Sequence, residues 1–319
     1  MIKNKKEYFN KLLSLLKNKE LAVSILFVTR SKEDDSYEIH KGNLSDELSK
    51  ILRELCLRIS EKSYSNPEKK SFAPYDPSQK GSNCTEYIEG PELDQIQPIL
   101  NTIDGTPYDL KKLDKKFLSN LWFYVIHLSD GKKEVLFFKK YSQGMVLTKG
   151  WGLAWTFKSG NFDKIKKDTF IIPDKSDCVL FDNNLIIRSK GNFEKIFNFI
   201  HLIEENAKAA IKFIEEKLPF KIDNFDKIKT GWMEHEQKVR KLNNIYSTKI
   251  LEKIKPESIQ VLIKAGILNT VTTKKDKDGT LIVSSTDPWE ILHILDDDYV
   301  KSLLTGIDYE APHKKRIKK

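Results

Sequence analysis

The apolar positions of this chain follow two rhythms, and each switch between them marks an element. Residues 5–17 place Tyr8, Leu12, Leu13, Leu15 and Leu16 at helical spacing, and ELAVSILFVTR after them is an apolar run of buried-strand length. Ser36 to His40 offers a return strand. Between Leu44 and Ser60 the helical period comes back, with Ser45 suited to cap it and Leu48, Ile51, Leu52, Leu55 and Ile59 as one stripe. From Ser63 to Pro107 the pattern dissolves into Pro, Ser, Asn, Lys and Glu, a composition that buries little apolar surface and predicts a long loop or linker.

Strand signals dominate again from Leu121. NLWFYVIHL and KEVLFFKKY flank a turn at Ser129-Asp130-Gly131, DTFIIP adds a strand, and DCVLFDNNLIIRS predicts a hairpin around Asn183-Asn184. With no helices between them, these strands predict a mostly antiparallel sheet. NFEKIFNFIHLIEENAKAAIKFIEEKL reads as one long helix that lays Phe197, Ile200, Ile203, Ala207, Ile211 and Ile214 on the sheet, and Pro219 ends it. Beyond Pro219 a helical stretch to about Lys255 turns Trp232, Val239, Leu242, Tyr246 and Ile250 inward. A short helix opens at Pro256, buries Ile259, Leu262 and Ile263, and stops at Gly266. ILNTVTT and TLIVS then form a hairpin around KKDKDG, and Asp287-Pro288 starts a last helix, PWEILHIL. The expected class is α/β of the α+β kind. Residues 1–219 form a mostly antiparallel sheet flanked by helices, with 63–107 irregular; residues 220–319 form a mainly helical domain with one β-hairpin and a basic tail.

Composition adds a core and a sign of charge. At 319 residues and 39% hydrophobic content, the chain has enough apolar surface for about two domains. Lys plus Arg number 55 against 46 Asp plus Glu, a formal +9, which favours polyanionic partners. AT-rich genomes also raise Lys, Asn and Ile together, so the placement of charge matters more than its sum. Cys56, Cys84 and Cys178 lie far apart without CxxC spacing, and the six histidines, His40, His127, His201, His235, His293 and His313, form no ligand-spaced pair. Neither a disulfide framework, a metal site nor a cofactor is expected, and a reducing cytoplasm fits. The amphipathic start is not a signal peptide, and no apolar run approaches the ~20 residues of a membrane span. Any membrane association is therefore expected to come through a partner.

Catalytic signatures are missing. There is no Walker A loop, GxGxxG, GxSxG or HExxH, and no catalytic residue is assigned, so a non-enzymatic binding protein is expected. The acidic triplet Asp296-Asp297-Asp298 suits a hard cation and leaves a Mg²⁺-dependent nuclease as one alternative. Capping of backbone N–H groups at a helix junction is the commoner use of such acids. Basic residues fall into three clusters. Lys238, Lys241, Lys249 and Lys253 share one face of a helix over 236–254, though an ordinary solvated helix side has the same composition. Lys274, Lys275 and Lys277 crowd a hairpin tip that, with the preceding helix, has the helix-plus-wing order of winged-helix DNA readers; any exposed hairpin favours lysines as well. Lys314, Lys315 and Arg316 stand in the terminal HKKRIKK, suited to phosphate backbone or anionic lipid. The DNA-binding residues expected are Lys241, Lys249, Lys274, Lys275, Lys277, Lys314, Lys315 and Arg316. A pure protein-interaction module, with the tail touching lipid, is the other alternative.

Two stretches resemble a known family. DCVLFDNNLIIRSKGNFEKIFNF, Asp177 to Phe199, followed by a charged helical region, is similar to the KwaB proteins of the Kiwa antiphage system. In ILHILDDDYVKSLLTGIDYEAPHKK, residues Asp297, Asp298, Tyr299, Ser302, Thr305, Tyr309 and Lys314 stand where that family's closing motif is expected. The resemblance covers roughly the last two thirds of the chain. It implies a cytoplasmic DNA-binding subunit, working with a membrane-embedded KwaA partner and interfering with phage DNA replication or transcription. It implies self-association too, a homodimer doubling the basic surface offered to a duplex.

Overall fold

The computed structural model describes residues 4–31, 33–64, 71–78, 84–147, 155–158, 161–164, 169–268, 270–301 and 308–310. The chain forms two compact units: Met1–Tyr75 with Ser82–Phe197, and Asp76–Gly81 with Asn198–Lys319.

The first unit opens with α1 (Lys5–Leu16), β1 (Ala22–Arg30), β2 (Tyr37–Gly42), α2 (Asp46–Tyr64), β3 (Phe72–Pro74), β4 (Thr85–Glu89), α3 (Gln97–Ile103), β5 (Tyr108–Asp109) and α4 (Lys115–Asn120). There follow β6 (Leu121–Ser129), β7 (Glu134–Lys140), β8 (Val146–Leu147), β9 (Trp155–Lys158), β10 (Asn161–Lys164), β11 (Thr169–Phe170), β12 (Cys178–Phe181), β13 (Asn184–Ile187) and α5 (Lys190–Ile196). Nine of these strands make one sheet in the order β3-β4-β13-β12-β7-β6-β1-β2-β5. Only the outer pairs β3–β4 and β2–β5 are parallel. The antiparallel middle follows from short local turns. The Asp130 carboxylate accepts the N–H groups of Lys132 and Lys133 in the β6–β7 turn. Asp182 and Asn183, both at positive φ, link β12 to β13 as a two-residue loop, one residue earlier than the sequence pattern suggests.

Apolar residues of α1, α2 and the central strands form one core. Tyr8 and Phe9 of α1 anchor it: the Tyr8 hydroxyl donates to the Phe181 carbonyl at 2.8 Å, and Phe9 stacks on Tyr64. Ser45 does cap α2, accepting the Leu48 N–H, but the buried stripe is Leu52, Leu55, Cys56 and Ile59, with Leu48 and Ile51 exposed. Cys178 is a core residue, as its apolar strand suggests.

Two expectations are overturned. The stretch 63–107 is not simply loop: it supplies β3, β4 and α3, with Tyr87, Ile88, Ile96, Ile99 and Ile103 buried. Its apolar runs are too short to stand out, and β4 is held by pairing with β13, about a hundred residues away along the chain. The long helix expected over the sheet is broken at Asn198, which takes a left-handed φ of 58°. The part before the break belongs to the sheet, with Phe193 and Phe197 in contact with each other and Phe197 against Phe138. The part after it belongs to the second unit, so the units divide there and not near Pro219.

The second unit contains α6 (Phe199–Lys217), β14 (Lys221–Ile222), α7 (Phe225–Met233), α8 (Glu236–Thr248), α9 (Pro256–Lys264), β15 (Val271–Lys275), β16 (Leu281–Ser285), α10 (Pro288–Leu295), β17 (Tyr299–Lys301) and β18 (Asp308–Glu310). Ile203, Ala207, Ala210 and Ile214 of α6 face a core of Trp232, Leu242, Ile245, Val283, Leu292 and Leu295. Trp232 is fully buried and its indole N–H donates to the Pro288 carbonyl at 2.9 Å. β15 and β16 form the expected hairpin, with β14 adding a parallel third strand. No helix among the described residues is long and apolar enough to cross a membrane.

Candidate nucleic-acid interface

The helix-plus-hairpin of the second unit is locally encoded. Pro256 starts α9 where its missing N–H is not needed. Gly266, at φ +71°, ends it: the N–H groups of Gly266 and Ile267 return to the carbonyls of Ile263 and Leu262. In the hairpin turn the Asp276 carboxylate accepts the N–H groups of Asp278 and Thr280 and takes an ion pair from Lys221 at 2.8 Å. That bond to Lys221 is the main reason the Asp276 carboxyl lies below the ordinary range. Held this way, the turn keeps Lys274, Lys275 and Lys277 exposed. Lys274 has the Asp223 carboxylate 3.7 Å away, a distance worth little at an exposed site. Lys249, also exposed, closes α8 in a left-handed conformation, φ 50°.

Lys241 is not part of this surface. Of the positions expected to face inward, Trp232, Val239, Leu242 and Ile250 are buried and Tyr246 is exposed, and α8 also buries Lys238, Lys241 and Ile245. Lys241 lies between two buried carboxylates, 3.0 Å from Asp296 and in close contact with Asp298. Asn244 adds a hydrogen bond to Asp296 at 2.9 Å, and His293 Nδ1 lies 2.7 Å from Asp298. Lys238 is buried as well, its ammonium 5.4 Å from the centre of the Trp289 ring. The acidic triplet is thereby explained. Asp296 and Asp298 compensate Lys241, and Asp297, at φ 53°, occupies the left-handed position that closes α10. The Asp296 and Asp298 carboxylates serve as ion-pair partners of Lys241. Among the described residues no group of three His, Cys, Asp or Glu side chains is arranged to hold a metal ion.

Sequence reasoning missed Lys253's companion Lys255. Both border a cleft of about 220 Å³ together with Ser258, Ile259 and Leu262. The signal was the Lys-Pro step that opens α9. Lys314, Lys315 and Arg316 lie outside the described residues.

The stretch Asp177 to Phe199 builds a polar hub in the first unit. The Asp177 carboxylate, 2% exposed, receives Lys139 Nζ at 3.0 Å, Asn192 Nδ2 at 3.0 Å and the Lys140 N–H at 2.8 Å. Its carbonyl accepts the N–H groups of Arg188 and Ser189. Nearby, Lys190 pairs with Glu86 at 3.1 Å and both are buried. These bonds tie the ends of β7, β12, β13 and β4 to α5. The Asp177 contacts and the Lys241 cluster fall in residues 118–305, which match the family described as Kiwa protein KwaB-like over more than half of the chain. The chain belongs to that family. Membership places it in Kiwa antiphage defence. The match to the KwaB-like family begins at α4 and includes the helix-plus-hairpin, while α1, β1, β2 and α2 lie before it. No curated protein and no solved structure matches the chain.

Proposed function

We propose that this KwaB-like protein is a non-enzymatic, cytoplasmic DNA-binding subunit. It holds duplex DNA through phosphate contacts, largely without regard to sequence, and so obstructs replication or transcription of phage DNA. It works as a homodimer with a membrane-embedded KwaA partner that recruits it to the inner face of the membrane. The observation that carries the reading is the division of lysines in the second unit. Lys241 is neutralised internally, whereas Lys249, Lys253, Lys255, Lys264, Lys274, Lys275 and Lys277 are all exposed on or beside α9 and the hairpin. Exposed lysines without base-reading side chains suit backbone binding, which depends on counterion release. The Mg²⁺-nuclease alternative, on Asp296 to Asp298 or the acids of the sheet, is less favoured, since Asp296 and Asp298 are engaged by Lys241.

The test is binding of a random-sequence duplex, followed by fluorescence anisotropy over a salt series. Affinity should fall with a log-log slope of roughly 0.9 per neutralised phosphate. Replacing Lys274, Lys275 and Lys277 together by Glu should flatten that slope by about two to three. No binding at low salt would overturn the reading, and an unchanged slope would remove the hairpin from it.

A further inference from the structure

In the first unit, four neighbouring strands end side by side, and each contributes one side chain to a row. Tyr37 opens β2 and pairs with Arg30 at the end of β1. Trp122 follows on β6, and Lys140 ends β7 opposite Phe123. Trp122 joins the row through a register slip: Val28 pairs with Phe123 and Thr29 with Leu121, which leaves Trp122 as the extra residue of a β-bulge. A bulge re-aims the side chain it carries. The Arg30 guanidinium lies 5.8 Å from the centre of the Tyr37 ring and 4.8 Å from that of Trp122, and the Lys140 ammonium lies 3.7 Å from the Trp122 ring. Trp122 is fixed in place, its indole N–H donating to the Lys195 carbonyl at 3.1 Å while Lys140 Nζ donates to the Trp122 carbonyl at 2.6 Å. The order is aromatic, cation, aromatic, cation, with exposed Lys195 next to it.

The row carries surplus positive charge. Arg30 pairs with Asp35, whose side chain is 70% exposed. Among the described residues no carboxylate forms an ion pair with Lys140 or Lys195, and Asp177, the acid closest to influencing Lys140, already pairs with Lys139. Burial first, then the charges of Lys195 and Arg30, hold Lys140 down to about 8 against the pull of Asp177. Such crowding is unfavourable in the free protein and is relieved by an anion. The ligand's other property follows from the rings. Alternating aromatic and cationic side chains suit a phosphodiester strand whose bases are unpaired, because a base in a duplex has no face to offer.

We propose that Tyr37, Arg30, Trp122, Lys140 and Lys195 form a binding surface for single-stranded nucleic acid, separate from the lysines that serve the duplex. Phosphates meet the three cations, which Trp122 holds in place, and an unpaired base stacks on Tyr37. The residues are distinct from those of the duplex reading, so either proposal can fail alone.

The experiment compares a labelled oligothymidylate with a duplex of equal length, using the full chain. The double variant Arg30→Gln/Lys140→Gln should bind the oligothymidylate roughly tenfold more weakly, because neither glutamine brings phosphate a positive charge, while duplex binding holds within about twofold. Tyr37→Ala, which leaves both cations and Trp122 untouched, should cost about fivefold or more on the single strand alone. Sodium triphosphate should not displace the strand at concentrations that leave ionic strength unchanged. Unaltered single-strand binding in both variants, equal losses on duplex and single strand, or displacement by triphosphate would each overturn the proposal. Lys140→Gln should keep or raise the melting temperature at pH 7, because the charged form is the one disfavoured at that site.

Discussion

Lys241 carries its charge into the interior of the second unit, where two carboxylates and Asn244 receive it. A buried ion costs several kcal/mol to desolvate and remains only where its partners repay that cost. Removing the cation alone leaves Asp296 and Asp298 facing each other without it. Lys241→Met should therefore lower the unfolding free energy by about 3–5 kcal/mol in urea titrations, and a change below about 1 kcal/mol would show that water already reaches the cluster. The duplex salt slope of the folded variant should equal that of the wild type, because Lys241 meets no phosphate. In the sequence this residue was indistinguishable from its exposed neighbours. Periodicity assigns a lysine to the outside, and the first of its carboxylate partners, Asp296, lies 55 residues further on.

At the scale of elements, hairpins, helix starts and glycine stops were legible because each is determined within a few residues. Asp287 caps α10 by accepting the Trp289 N–H, Gly266 ends α9, and the Asp276 turn closes β15 on β16. Breaks made by asparagine and lysine were not legible, since those side chains also occupy ordinary helices. Lys249 is such a case, taking at the end of α8 a left-handed φ that costs a non-glycine residue about 1 kcal/mol or more. Lys249→Gly should raise stability by about 1 kcal/mol, read as a higher denaturation midpoint, and should weaken duplex binding at low salt. Increased stability with unchanged binding would remove Lys249 from the interface. The hub of Asp177 works in the opposite sense, joining strand ends that no local pattern relates.

For the whole molecule, membership of the KwaB-like family places it in Kiwa antiphage defence, and the proposed non-enzymatic binding role predicts the fate of plasmid DNA. Supercoiled plasmid incubated with the protein should remain intact in Mg²⁺ as it does in EDTA; nicking that requires Mg²⁺ would assign catalysis to residues other than Asp296 and Asp298. Outside 63–107 and the break at Asn198, the sequence by itself determined most element types, the antiparallel centre of the sheet, the helix-plus-hairpin and the family, because periodicity, turn chemistry and short motifs act locally. Only the tertiary structure decided that Lys238 and Lys241 of α8 are buried, where the units divide, and that Tyr37, Arg30, Trp122 and Lys140 stand in one row. The aromatic interleaving absent from the linear sequence is assembled across four strands, by pairing between residues up to a hundred positions apart.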